Sequence, residues 1–423
     1  MRFSSALIAV GLITAACAQD APKPAPQAEP KSATVPITLD HNRVVIDVCL
    51  PLPDGSTKRV RGWVDNGNPD LEISRRVATL IGLNVTCDDK ACSAPPPRDI
   101  TIGGMKIPLT SVKEAKIPLK PVTAASVMAP GMSAEINLPS TVLRNYDVLV
   151  SFPDREFTIG QRGTIHFRGM SGKILVNAEN GLVQMPSKIN GKNYNLGLDV
   201  GSSFSFLTSE VFDKLASAHP DWPHMTGAVG NANMWGLDDE PKWKLLRVDR
   251  VQYGPVFLTG VATAGLSSDG SAFFEKRAGM ATAGLLGSNA LLNYRVGIDY
   301  AHSMAYFEIG TTFKAPDFDV IGLTLRPEDD GRFTILGVAD FDGKPSVPEV
   351  QVGDHLVAVD GIPVPDSSMG QVWSMLEGQP RQERKLTIER AGKQFSVVAK
   401  VQHFMGEQPE KDETKEKRKR DYR

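Results

Sequence analysis

The sequence predicts a mainly β protein: two similar β-barrel lobes in tandem, followed by a smaller α+β module. Three observations support this. An apolar strand ending in an acid occurs twice, as "GWVDNGNPD" (62–70) and "LGLDVGSS" (196–203). Matching turn, helix and strand signals surround each copy. From about residue 316 the pattern changes.

The chain's 423 residues leave room for two or three domains. Its 41% hydrophobic and 23% charged residues are typical of soluble globular proteins. Lys+Arg 47 against Asp+Glu 49 gives a formal charge of −2, no reason to expect nucleic acid or an acidic polymer as partner.

At the amino terminus Arg2 precedes the apolar run "ALIAVGLITAA", the length of a signal-peptide core and too short to span a bilayer. Ala16-Cys17-Ala18 fits the small-x-small cleavage pattern before Gln19. Cys17 also resembles the acceptor of a bacterial lipoprotein, with Thr14 where such signals usually carry Leu. Residues 1–18 are therefore read as a signal peptide, and the protein as exported, periplasmic or secreted. A membrane tether by lipidation of Cys17 is the alternative. Residues 19–33 form a Pro/Ala/Lys linker with no means of building a core. Cys87 and Cys92 bracket "DDKA" and are expected to staple a small loop in an oxidising compartment. Cys49 then remains as a buried strand thiol.

Residues 34–160 and 167–310 share one plan, giving lobes over 34–165 and 166–313. Asp54-Gly55 and Asn190-Gly191 are hairpin signals, because both positions must tolerate positive φ. They lead into "TKRVRGWV" and "YNLGLDV". Beyond each acid stands an N-cap candidate, Ser74 or Thr208, opening the helical patterns "RRVATLIGL" and "SEVFDKLASA". Toward the lobe ends "LPSTVLRNYDVLVSF" matches "LGSNALLNYRVGIDY", placing Leu138, Tyr146 and Val148 against Leu286, Tyr294 and Val296. "EFTIG" (156–160) then answers "YFEIG" (306–310).

An acid at the end of a buried strand, followed two residues later by Gly, sits on a tight turn that can aim it into a cleft. If two such lobes bring their turns together, the carboxylates cannot both ionise easily, and the pair shares a proton. The ionised member can take a proton from water while the protonated one polarises an amide carbonyl. That chemistry needs no metal and no cofactor.

These residues resemble the retropepsin-like and pepsin-like aspartic proteases over roughly 34–312: Asp-x-Gly-x after an apolar strand, "LLG" (285–287) and the closing "Y.V.IDY" strand. The resemblance implies that Asp65 and Asp199 form the catalytic dyad, with Gly67 and Gly201 as turn glycines. Asn68 and Ser202 stand where the family has a small residue that can hydrogen-bond the acids. The sequence departs from the family after each Asp, where a Thr or Ser hydroxyl helps lock the two loops together. Here Asn66 and Val200 occupy those places, and Pro139 replaces the counterpart of Gly287. A loosened dyad is the expected consequence, since catalytic geometry controls rate steeply. "GAVGNANMWGLDDEPKW" (227–243) suits either a mobile hairpin over the cleft or an ordinary surface loop.

In the third segment, "VGDHLVAVDGIPV" (352–364) and the apolar-Gly-apolar element Ile321-Gly322-Leu323 resemble a PDZ domain over 316–404. That resemblance implies backbone N–H groups at Ile321, Gly322 and Leu323 cradling a peptide carboxylate, with peptide added as a strand. "SSMGQVWSMLEG" would line the groove. Residues 405–423 read as a charged, disordered tail. No His stands in a nucleophile elbow, no Cys/His spacing suggests zinc, and no Gly-rich loop has a phosphate-binding sequence.

The leading expectation is an exported, monomeric aspartic endopeptidase acting on proteins or peptides, with a PDZ module that recruits them. The rivals are a protease-fold peptide-binding protein without turnover, and a chain with one competent lobe that needs dimerisation.

Overall fold

The computed structural model describes residues 29–89, 91–117, 134–226, 243–310, 318–328 and 330–405. The expected signal peptide, the linker up to residue 28, the Gly-rich segment 227–242 and tail residues 406–423 lie outside the described residues. Met405, expected in the tail, and Ala33, expected in the linker, are instead buried, Ala33 in the strand Ser32–Pro36. The fold is mainly β, as the sequence predicts, with short helices between the sheets.

Each lobe is built around one hairpin. Gly55 takes φ 87°, and the Asp54 carboxylate accepts hydrogen bonds from the N–H and hydroxyl of Ser56. This turns strand Arg43–Pro51 back as Thr57–Asp65. In the second lobe Asn190 and Gly191, with φ 48° and 76°, turn Val183–Ile189 into Lys192–Leu198. A later strand then inserts parallel beside each acid-ended strand. Ile136–Pro139 pairs with Thr57–Asp65, setting Asp65 opposite Pro139, and Gly284–Leu286 pairs with Lys192–Leu198. Parallel neighbours require a long crossover, so each acid is held at a strand end by residues far away in sequence.

The expected helices are present. Ser74 accepts from the Val77 N–H and caps Arg75–Leu80. Thr208 stands at the N-cap of Ser209–Ala218, but its side chain makes no capping bond, contrary to expectation. That helix is held instead by its buried face of Val211, Phe212 and Leu215.

The lobes join through a six-stranded sheet in the order 32–36, 156–160, 147–151, 294–299, 304–309, 170–173. At its centre Asp147–Ser151 runs antiparallel to Tyr294–Asp299, with Val150 opposite Val296. The matched sequence segments thus meet as neighbours across a local twofold relation.

Cys87 and Cys92 are joined by a disulfide in a two-strand hairpin. Cys49 corrects the sequence reading: it is disulfide-bonded rather than a free thiol, and no free cysteine occurs among the described residues.

The C-terminal module is a sheet in the order Leu323–Pro327, Phe333–Val338, His355–Val359, Glu383–Arg390, Lys393–Lys400, with helix Met369–Leu376 against it. A reciprocal capping box between Ser368 and Gln371 starts that helix. The module is locked to the lobes. The buried Asp40 carboxylate accepts from the Ser368 hydroxyl at 2.6 Å, the Gly370 N–H at 2.7 Å and the Arg43 guanidinium at 2.9 Å. From the second lobe, Arg247 donates to the Met405 carbonyl.

Candidate active site

The two acid-bearing turns meet between the lobes. Asp65 is 1% exposed and Asp199 7% exposed, and both line a cavity of about 80 Å³. Trp63, Phe206, Phe274 and Leu285 form its apolar wall, and Arg277 adds a cation.

Each acid packs against the glycine of the opposite turn. A Cβ on Gly67 would lie 1.9 Å from Oδ2 of Asp199, while one on Gly201 would lie 2.7 Å from the Val64 carbonyl oxygen and 3.1 Å from Oδ1 of Asp65. Only a residue without a side chain leaves room for the two turns to approach this closely.

Their hydrogen bonds differ. Oδ1 of Asp199 accepts from the Gly201 N–H at 2.8 Å and the Ser202 N–H at 3.2 Å, and its carboxylate also receives the Gly67 N–H from the other lobe. Oδ2 of Asp65 accepts from the amide of the fully buried Asn137 at 3.2 Å. Burial raises the pKa of both acids. Asp65 goes well above the usual carboxylate range, through desolvation and then the neighbouring charge of Asp199. Asp199 is raised only to about 6, because the three backbone N–H groups and Arg277 offset its desolvation. The pair titrates as a unit, and its singly protonated state has the proton on Asp65 and the charge on Asp199. Since the folded-state value of Asp199 lies above its ordinary 3.8, its protonation stabilises the fold. That contribution is complete below 3.8 and is lost as pH rises through about 6.

Asn66 reverses the expected loosening. Its amide donates to the Leu198 carbonyl at 2.6 Å and accepts from the Val200 N–H at 2.8 Å. One side chain thus ties the first lobe's turn to both sides of Asp199. Trp63 adds a bond from its indole N–H to the Gly201 carbonyl at 2.9 Å. Val200 is buried and contributes only its backbone, its carbonyl accepting from the Ser288 hydroxyl at 2.6 Å.

Asn68 and Ser202 do not hydrogen-bond the acids through their side chains. The Ser202 hydroxyl donates to the Phe204 carbonyl, and the Asn68 amide donates to Glu72. Instead they match through their backbones: the Asn68 carbonyl accepts from the Ser140 N–H and the Ser202 carbonyl from the Ser288 N–H, both at 2.8 Å. Pro139, opposite Asp65, therefore leaves this symmetric brace intact.

Asn137 and Arg277 were not singled out from the sequence. Asn137 had a signal, a polar residue inside the apolar run "INLP". Arg277 had none, since its partners are set by tertiary placement alone.

In the C-terminal module, Ile321, Gly322 and Leu323 are buried. The Ile321 N–H donates to the Leu376 carbonyl and the Leu323 N–H to the Ile321 carbonyl, both within the chain. The expected carboxylate cradle has thus committed two of its three donors, because the preceding segment bonds to the end of the helix. Among the described residues no cluster of metal-ligating side chains occurs.

No protein-family model and no curated protein matches this chain. Among solved structures, the aspartic proteinase from Irpex lacteus is similar at 13% identity, over 66% of this chain and 98% of that one, with a TM-score of 0.38. What the fold and site define by themselves is a duplicated, two-lobed β protein with a buried acid pair between its lobes.

Proposed function

We propose that this protein is an aspartic-type endopeptidase. The observation that carries the reading is the unequal acid pair: two buried carboxylates, each against the other lobe's turn glycine, Asp199 receiving three backbone N–H groups and Asp65 the Asn137 amide. Ionised Asp199 takes a proton from a water as its oxygen bonds to the scissile carbonyl carbon. Asp65 gives its proton to the carbonyl oxygen. Collapse of the resulting diol breaks the C–N bond, with the proton held by Asp199 going to the leaving amine nitrogen and the diol returning one to Asp65. Both acids belong to one chain, so a monomer is sufficient. The cavity between the acids has room for a few waters, including the one that attacks.

The substrates are proteins or peptides of an exported compartment, and the PDZ-like module is the recruiting element. The donors committed at Ile321 and Leu323 favour an internal strand over a free C-terminus as its ligand.

Cleavage of an unfolded protein across a pH series tests the reading. The rate constant kcat/KM is expected to rise through about pH 6 as Asp199 ionises, and to fall only at higher pH where Asp65 loses its proton. No cleavage at any pH would instead leave a peptide-binding protein without turnover.

A further inference from the structure

The lock between the active-site turns is one-sided as far as the two residues after the acids go. Asn66 reaches from the first lobe to Leu198 and Val200, and Val200 has no polar group with which to reach back. A different residue reaches back. Arg277, in the last turn of helix Ser268–Ala278, donates through Nη2 to Oδ1 of Asn68, in the turn that carries Asp65. The same nitrogen lies 3.5 Å from Oδ2 of Asp70.

Local sequence makes that reach stiff. Ser267 caps the helix start by accepting from the Gly270 N–H, and Gly279 ends it in the left-handed region with φ 61°. Asn177 and Asn180 donate side-chain amides to the terminal carbonyls of Ala278 and Arg277. Phe273, one turn earlier, lies under the guanidinium at 5.9 Å. The Arg277 side chain is only 27% exposed and lines the cavity shared with Asp65 and Asp199.

We infer that Arg277 is a positioning residue of the acid pair, supplying from the second lobe the grip on the first lobe's turn that Val200 cannot supply. It grips Asn68 and places a positive charge beside a buried pair that carries one negative charge. The surrounding charges leave that task to it. Arg43 faces Asp65 but is paired with Asp40, and Lys116 is paired with Asp70 at 2.7 Å. Glu72 is buried beside Asp65, and Tyr253 and Tyr300 face Asp199 as neutral phenols. Arg277 also faces Asp70 and the buried Glu72, but among the described residues it is the cation that lines the cavity of both acids.

The inference rests on the peptidase reading, so its test has an arm that does not depend on turnover. In the cleavage arm, Arg277→Met is expected to move the acid limb of kcat/KM upward by about one pH unit. It should also lower kcat at pH 7 by roughly ten- to a hundredfold with little change in KM. Arg277→Lys restores the charge, and should return the limb most of the way while recovering only part of kcat. A fall in kcat with an unmoved pH profile, or no rescue of the limb by Lys, would overturn the inference while leaving the peptidase reading in place. In the second arm, thermal midpoints are compared for the parent, Arg277→Met, Asp199→Asn and the double variant. At pH 7.5 Arg277→Met should lower the midpoint clearly more when introduced into the parent than when added to Asp199→Asn, and at pH 4.5 equally in both. Equal effects at both pH values contradict the inference, even if the parent cleaves nothing.

Discussion

Asp199→Asn is expected to lower cleavage at neutral pH by roughly a thousandfold, within the 10²–10⁴ range that positioned acid–base groups supply. The amide cannot take the proton of the attacking water. It also leaves one oxygen where the carboxylate offers two to the backbone N–H groups of Gly201, Ser202 and Gly67. Asp65→Asn should cost a comparable factor for another reason, since an amide can hydrogen-bond the substrate carbonyl but cannot give it a proton. The two variants should differ in pH behaviour. Asp65→Asn keeps the rise near pH 6 in its residual activity and loses the fall at high pH, whereas Asp199→Asn loses the rise. Steady-state kinetics on one fluorogenic peptide checks both. Cleavage that survives both substitutions unchanged would remove the dyad from the mechanism, and activity kept by Asp65→Asn but lost on dilution would point to a dimer with one competent lobe.

The second large effect lies away from the acids. Arg43→Met should destabilise the fold by about 3–5 kcal/mol, because it leaves the buried Asp40 carboxylate without its ion-pair partner. Arg43 is itself fully buried, with its guanidinium 5.9 Å from the Trp63 ring. Asp40 would keep only the Ser368 hydroxyl and Gly370 N–H from the helix start of the C-terminal module among the partners described. The double variant Asp40→Asn/Arg43→Met should recover most of the loss, as whole buried pairs can be replaced more cheaply than they can be broken. Urea unfolding of the three proteins measures this. If Arg43→Met is as stable as the parent, the Asp40–Arg43 junction does not hold the module in place. Trp63 also donates to the Gly201 carbonyl, so a displaced Trp63 should lower kcat in the same variant.

How much of this could be read in the sequence varies by residue. The hairpin turns at Asp54-Gly55 and Asn190-Gly191 were legible because few dipeptides accept their dihedral angles. The strand ends at Asp65 and Asp199 were legible because the repeat displays them twice. The role of Asn66 was misread. Comparison with Thr or Ser counted a lost hydroxyl, yet an Asn amide carries a donor and an acceptor at nearly the same reach and uses both. Cys49, the uncapped Thr208 and the committed N–H groups of Ile321 and Leu323 depended on partners that no local pattern specifies. Arg277 is the extreme case. Its helix is ordinary in composition, and only the folding of the lobes onto each other brings it to Asn68.

Neutron diffraction from crystals held at the pH of greatest cleavage tests the central claim most directly, because it locates the hydrogen itself. The expected map shows one deuteron bound to the Asp65 carboxyl, on the side facing Asp199, and a bare Asp199 receiving the Gly201, Ser202 and Gly67 N–H groups. Two bare carboxylates, two protonated ones, or acidic side chains turned away from a common space would contradict it, and the protein would then be a duplicated scaffold without the chemistry assigned to it.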